Sequence, residues 1–398
     1  MTFLTHEVWS TLRVCVQHSI MSSKMFINMK QSSPMALPAP NPKVGAFHRT
    51  LPHYGYTPLV SLPEVAKELG IGHLLLKDEG SRLGLPAFKI LGASWATVQV
   101  ISKILKLGSP ERPNGALSST SGVSLENIAK AAQEADFTLY AATDGSHGRA
   151  VSRMAKYLGI KATILVPKFV DRHVIANIQS EGSTVEVCNG DYDQTVLAAK
   201  RAAEEHPDGK GLLISDTPLE FGDETAHWIV DGYQTIFDEI EEQVVGISSG
   251  KAITHVIIPV GSGSLATAAA IFFSRKLVKP IIITVEPEAA PCLKASLEAD
   301  KSTTVDVGYS ICTGMCCGTL SANAWPILKE CVNIALTVDD LKVDEAIVDL
   351  RRYGVHSGPC GAASLSAARQ LLGTESFDSK SIVLVLCTEG ARSYELKI

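Results

Sequence analysis

From about Leu51 onward, short apolar runs alternate with stretches whose apolar residues recur every three or four positions. The runs "HLLLK" (from His73), "FTLYAAT" (Phe137), "KATILVP" (Lys161), "STVEVC" (Ser183), "GLLIS" (Gly211), "HVIIPV" (His255), "PIIITVE" (Pro280) and "SIVLVLC" (Ser381) predict strands. Between them, "HGRAVSRMAKYLG" and "YDQTVLAAKRAAEE" predict helices. Strands alternating with helices predict βαβ units, hence an α/β fold of mostly parallel sheets flanked by helices. No internal repeat or low-complexity tract breaks the pattern.

Open sheets of this kind bind ligands where the carboxyl end of a strand runs into a loop and a helix. Four turns occupy such places: "ATDGSHGRA" after the Phe137 run, "SDTPLEFGDET" after Gly211, "PVGSGSLATAA" after His255, and "CTEGARSY" after the last strand.

Composition narrows the partners. The chain has 398 residues, enough for two domains, and a net charge of -6, which gives no electrostatic reason to expect nucleic acid or an anionic membrane. The most apolar stretch, from Val256, is interrupted by Pro259, Gly261 and Gly263 and reads as strand, turn and helix rather than a membrane span. Nine scattered cysteines, an odd number, point to a reducing compartment and a cytoplasmic location rather than a disulfide framework. "CTGMCC" (Cys312, Cys316, Cys317) lacks histidines at metal-finger spacing, so no metal is expected, and Cys316 and Cys317 are expected to pack as small buried residues. Residues 1–25 are a weak match to an organellar transit peptide, and Met21, Met25, Met29 and Met35 each offer a later start. "SSPMALPAPNPK" reads as an extended Pro-rich arm.

The chemistry begins at "LPAFKILGASWA", where Lys89 lies among small and apolar residues at a helix start. A buried ammonium must shift its pKa, find a partner, or be covalently capped. It is either a snorkelling lysine with a wet head or a Schiff-base lysine. "VGSGSLA" is a glycine turn leading into a helix, where Gly261 and Gly263 let backbone amides approach a phosphate; alone it reads equally as a tight turn. In "TDGSHGR", Asp144 or Ser146 can simply cap a helix, and His147 alone is most simply a packed histidine; the flanking glycines also suit a flat ligand.

Taken together and in this order, these segments resemble the tryptophan-synthase-β-like (fold type II) pyridoxal-phosphate enzymes, and among them the diaminopropionate ammonia-lyases. Their "KDE…R-GL-AFK-LG" pattern is matched by "KDEGSRLGLPAFKILGAS", and their "TDG-HGRG", "QDT", "EP…C" and "STEG" segments by "TDGSHGRA", "SDT", "EPEAAPC" and "CTEG". The match spans residues 47–392. It implies a two-domain fold with the active site in the interdomain cleft: an arm at residues 1–44, expected to be poorly ordered, a large cofactor-binding domain from residues 45–85 and 224–398, and a small domain from residues 86–223. It implies pyridoxal 5'-phosphate as cofactor, held covalently by Lys89, whose amine then moves protons at the substrate α-carbon. Gly261, Ser262, Gly263, Ser264 and Leu265 would nest the phosphate, Ser146 and His147 would lie against the cofactor, and Thr388 would face the ring nitrogen. A neutral hydroxyl there leaves that nitrogen unprotonated and makes the ring a milder electron sink, suited to elimination. Asp144 and Asp216 match two aspartates with acid/base or amine-recognition roles, which suits a substrate with a second ammonium.

The implied reaction is elimination of the β-amino group of 2,3-diaminopropionate to pyruvate and ammonia. The alternatives are a serine/threonine dehydratase, a β-replacement synthase, or a homologue that binds without turnover, which the presence of Lys89 argues against. Two departures bear on the substrate: Ser146 stands where the family carries asparagine, and "SGPCGA" (with Pro359 and Cys360) where it carries "SGESGA". The resemblance also implies a homodimer acting on a small amino acid.

Overall fold

The computed structural model describes residues 24–29, 37–107, 124–217, 220–248 and 250–397. Its strands, in chain order, are β1 (Met25–Ile27), β2 (Leu59–Ser61), β3 (His73–Asp78), β4 (Thr138–Ala142), β5 (Lys161–Pro167), β6 (Thr184–Cys188), β7 (Gly211–Leu213), β8 (His255–Pro259), β9 (Ile281–Pro287), β10 (Ile334–Val338) and β11 (Ile382–Cys387). They form a seven-stranded sheet, ordered β1-β10-β9-β8-β11-β3-β2, and a four-stranded sheet, ordered β6-β5-β4-β7. All pairings are parallel except those of the edge strands β1 and β2.

Every strand predicted from an apolar run is present. The central strands β4, β8 and β11 are buried along their whole length, as strands covered on both faces must be. β10 escaped the sequence reading because only Val332 and Asn333 separate its short apolar run from the helix Trp325–Cys331. β1 and β2, at three residues each, are too short to show a period. Of the expected N-terminal arm, Met25–Ile27 is an edge strand against β10, and Asn28 is anchored to the carbonyls of Lys329 and Val332. Residues 1–23 and 30–36, with most of the transit-peptide match and part of the Pro-rich stretch, lie outside the described residues.

Helix Pro359–Gln370 covers one face of the large sheet, and helices Ser264–Phe273 and Glu224–Ile247 lie on the other side. The small sheet is flanked by Ser146–Leu158 and Tyr192–Glu204. Helix Lys89–Ile104 packs against both Glu224–Ile247 and Ser146–Leu158, and so joins the two halves. Its approach to Glu224–Ile247 is close: a Cβ at Gly92 would lie 2.7 Å from the Tyr233 ring, and one at Gly232 would lie 2.5 Å from the Leu91 carbonyl. Among the described residues no helix is long and apolar enough to cross a membrane.

Because the strands run parallel, their carboxyl ends share an edge. The segments that begin at residues 79, 143, 214, 260 and 388 all leave from those ends.

Candidate active site

Residues 79–88 deliver Lys89 to the cleft, and four charges buried beneath this loop hold it. Lys77 Nζ donates to Glu239 Oε2 at 2.7 Å, and Arg82 bridges Glu79 (2.6 Å) and Glu239 (2.7 Å); all four side chains are at most 2% exposed. Two cations and two anions balance, and Thr57 completes the network through its hydroxyl and carbonyl. Arg82 and Leu85 exchange backbone hydrogen bonds around Leu83, which holds a left-handed φ of 52°. A leucine adopts that conformation only where its surroundings over-determine it. The loop is then stitched to the last strand: Ala87 bridges Glu389, and Gly390 N–H donates to the Pro86 carbonyl. Lys89 follows as the first residue of its helix.

The Lys89 side chain retains 23% exposure to the cleft, and its Nζ lies 2.6 Å from Asp216 Oδ2. Burial opposes the ammonium, but Asp216 outweighs it and holds the pKa well above the usual lysine value. In this structure the lysine is therefore a paired cation rather than a snorkelling one. Asp216 is 5% exposed. Burial would raise its pKa, yet His147 and Lys89 bring it down to about 2. His147 Nε2 donates to the Ile214 carbonyl at 2.8 Å, which turns Nδ1 towards Asp216 at 3.7 Å; that buried nitrogen has no hydrogen-bond partner among the described residues.

Asp144 does not cap its helix. Thr143 does this work: its hydroxyl accepts from the N–H groups of Gly145 (2.9 Å) and Gly148 (3.0 Å). A Cβ on Gly148 would collide with the Thr143 side chain at 2.3 Å, so the glycine allows this cap to close. The Asp144 carboxyl is left open to solvent at the mouth of the cleft, though crowded by protein; desolvation raises its pKa while Lys89 opposes the rise, and Asp216 adds to it. Ser146 opens the helix Ser146–Leu158, half-buried beside it.

The glycine turn meets the same residue from the other sheet. Ser264 Oγ donates to the Asp216 carbonyl at 3.2 Å, so Asp216 touches Lys89 through its side chain and Ser264 through its backbone. Gly263 has a φ of +96°, and a Cβ there would sit 2.9 Å from that of Ala324. A Cβ at Gly261 would lie 2.9 Å from the Gly314 carbonyl. The Ser262 carbonyl is taken by Ser321 N–H, and Ser264 and Leu265 are buried at the start of a ten-residue helix. Its first N–H groups have no helical acceptor and suit an anion. Thr388 is 6% exposed at the end of β11, next to Glu389. The "SGPCGA" segment packs on this stretch: Cys360 N–H donates to Glu389 Oε1 at 2.9 Å, and Arg392 pairs with the same carboxylate.

The structure brings Lys89, His147 and Asp216 together, sets Asp144 within electrostatic reach of Lys89 and Asp216, and ties Ser264 of the glycine turn to the Asp216 carbonyl; Ser146 precedes His147, and Thr388 precedes Glu389, which bridges Ala87 two residues before Lys89. Sequence reasoning missed Tyr233 and Tyr192, which carry no motif of their own, and read Cys317 only as a packing residue; all three lie within electrostatic reach of Lys89 or Asp216. Cys316 and Cys317 are half-buried rather than fully buried. Among the described residues no cluster of three ligating side chains is placed to hold a metal ion.

The family model "Pyridoxal-phosphate dependent enzyme" (PALP) matches residues 50–388. Diaminopropionate ammonia-lyase of Salmonella typhimurium is 31% identical over 376 residues, covering 89% of this chain and 90% of its own. The Escherichia coli diaminopropionate ammonia-lyase, solved in complex with an aminoacrylate-PLP azomethine reaction intermediate, superposes with a TM-score of 0.78 at 26% identity, covering 92% of this chain and 93% of that one. The T.th. threonine deaminase superposes with a TM-score of 0.68 at 25% identity, covering 90% of this chain and 100% of that one.

Proposed function

Since the chain belongs to the pyridoxal-phosphate-dependent enzyme family, we propose that it is an ammonia-lyase acting on 2,3-diaminopropionate. One diaminopropionate and one water give one pyruvate and two ammonia. The observation that carries this reading is Asp216: a buried, ionised carboxylate that already holds an ammonium at 2.6 Å, with a second carboxyl, Asp144, in the same cleft.

The residues present fit the cofactor. The ten-residue helix after the glycine turn begins with N–H groups that no helical carbonyl can take, and His147 Nδ1, buried and without a hydrogen-bond partner among the described residues, stands near the Asp216 carboxylate that pairs with Lys89. When bound, pyridoxal phosphate supplies an aldehyde that takes up amino groups and a ring that draws electrons from the α-carbon. Lys89 would hold the aldehyde carbon, residues 261–265 the phosphate, Ser146 and His147 the neighbouring ring substituents, and Thr388 would face the ring nitrogen with a neutral hydroxyl.

Each protein group then has a task. Lys89, once free, takes the α-proton on its amine. Asp216, ionised across the neutral range, anchors the substrate's β-ammonium. Asp144, whose carboxyl is raised towards the neutral form, gives a proton to that nitrogen when it stands as the free amine, so that it departs as ammonia. A serine hydroxyl in place of that ammonium would leave Asp216 facing no cation.

A residue-mapping experiment and a substrate panel test the reading. Borohydride reduction of the cofactor-loaded protein, followed by peptide mapping, should label Lys89; a label on any other lysine ends the assignment. In a panel of diaminopropionate, serine, threonine and O-acetylserine, diaminopropionate should exceed serine at least ~10-fold in kcat/KM, about 1.4 kcal/mol of discrimination. Faster turnover of serine or threonine would make the chain a dehydratase; the departures at Ser146, Pro359 and Cys360 are the positions that bear on this choice of substrate. Capture of an added thiol or amine in place of keto acid would make it a synthase. We further propose a homodimer in the cytoplasm, with a small domain at residues 86–223 and a large one from residues 45–85 and 224–398.

A further inference from the structure

Tyr233 is fully buried on the helix Glu224–Ile247, yet its hydroxyl has no hydrogen-bond partner among the described residues. Buried hydroxyls are paired as a rule, because the bonds to water given up on folding must be replaced. The packing shows where this hydroxyl points. The Phe88 ring meets the Tyr233 ring edge-on, with centroids 4.8 Å apart. A Cβ at Gly92 would lie 2.7 Å from Tyr233 Cε1 and 2.8 Å from Cζ, the carbon that carries the hydroxyl. Phe88 immediately precedes Lys89, and Gly92 lies three residues beyond it, one turn along the same helix face. The phenol is therefore laid along the face from which the Lys89 side chain springs. Gly92 allows it: any larger residue there would displace the ring.

Asp216 cannot serve Lys89 in both of its protonation states. An ionised carboxylate only accepts, so it suits an ammonium and offers nothing to the lone pair of an uncharged amine. A phenol both accepts and donates. Burial raises the Tyr233 pKa, so this phenol keeps its proton at neutral pH.

We propose that Tyr233 is a positioning residue for Lys89, its hydroxyl, free while the lysine is an ammonium paired with Asp216, donating to the lone pair of the amine once it is uncharged. The assignment rests on the reading of Lys89 as the lysine that binds pyridoxal phosphate. It gives the amine a fixed orientation at the moment when it is uncharged and Asp216 has no proton to share.

Tyr233→Phe keeps the ring and its packing and removes only the hydroxyl. Three measurements on the full chain test it. Thermal unfolding of the cofactor-free protein should be unchanged or shifted upward, since no bond is lost and an unsatisfied group is removed. Covalent capture of pyridoxal phosphate, followed by visible absorbance across pH, should slow about 10-fold near neutrality and change its pH dependence, the scale of one hydrogen bond to a reacting group. Turnover should fall in kcat while KM for diaminopropionate stays within about twofold. A loss of thermal stability with capture and kcat unchanged would make the hydroxyl structural and overturn the proposal. So would wild-type behaviour in all three measurements. Peptide mapping of the reduced variant separates the two readings: a label on Lys89 with an unchanged capture profile sinks only the Tyr233 assignment, whereas a label elsewhere sinks the cofactor reading with it.

Discussion

Asp144 and Asp216 share one cleft, yet their neighbours push the two carboxyl groups in opposite directions: the first upward by desolvation, the second down to about 2 beside His147 and Lys89. Two acids separated in this way divide acid and base work between them. Replacing each by Asn keeps size and removes charge, and the two variants should fail differently. Asp216→Asn should raise KM for diaminopropionate about 10-fold or more while barely affecting serine, because an ammonium loses its anchor. Asp144→Asn should lower kcat by ~10²–10⁴, the usual scale for a lost proton carrier. A carboxyl that gives up a proton is active only while protonated, so wild-type kcat should fall as pH rises through the elevated Asp144 value. That descending limb should disappear from the residual activity of the Asp144→Asn enzyme. Steady-state kinetics of both variants across pH decide the matter; near-normal kcat and KM in both would make these carboxyls structural. Both residues could be picked out in the sequence because each sits in a recognisable turn. What the turn could not show is which of Thr143, Asp144 and Ser146 would cap the helix, since all three side chains compete for the same N–H groups. Thr143 takes them, and Asp144 is released to the cleft.

At the scale of elements, the "KDEGSR" segment matters through its partner. Lys77, Glu79 and Arg82 were visible as a motif, but Glu239, which neutralises two of them, lies 157 positions beyond Arg82 on another helix, where no local pattern announces it. Breaking a buried ion network by removing one partner leaves charges with neither water nor a counter-ion. Glu239→Gln should therefore destabilise the chain by ~3–5 kcal/mol, whereas Glu68→Gln, which breaks the more exposed pair with Arg369, should cost no more than ~1 kcal/mol. Denaturant unfolding of the two variants checks the contrast, and equal small losses would show that the network does not hold the loop. The sign with pH follows from the same contacts. Although burial alone would raise the Glu239 pKa, Arg82 and Lys77 hold it below its ordinary value. Its contribution is therefore complete above the unfolded carboxylate pKa and is lost as pH falls through the depressed folded one. The loop that this network clamps carries Lys89, so Glu239→Gln should also loosen cofactor retention without touching any residue of the cleft.

For the whole molecule, the apolar periodicity foretold parallel sheets, and the carboxyl-end rule foretold where a site would form. Neither could say how two sheets come to face each other. That depends on contacts with no sequence signature: Gly92 against Tyr233, Gly232 against the Leu91 carbonyl, and Asp216 tied at once to Lys89 and to Ser264. Asp216 follows β7 of the small sheet, and Ser264 follows β8 of the large one, so a ligand seated between Lys89 and the glycine turn must touch both halves. Anything that binds only the native arrangement stabilises it by RT ln(1 + [L]/Kd), about 2.7 kcal/mol at a hundredfold excess over Kd. If the cofactor sits where residues 89, 146, 261–265 and 388 converge, that stabilisation should be shared by both sheets. Hydrogen exchange with and without pyridoxal phosphate measures this directly. Protection should rise together at the start of helix Ser146–Leu158, at the start of helix Ser264–Phe273 and at the end of β11. In Lys89→Ala, which loses the covalent bond but keeps the phosphate turn, the rise should shrink in both sheets alike. A gain confined to the glycine turn would place the cofactor on the large sheet alone, and the cleft between the sheets would not be its site.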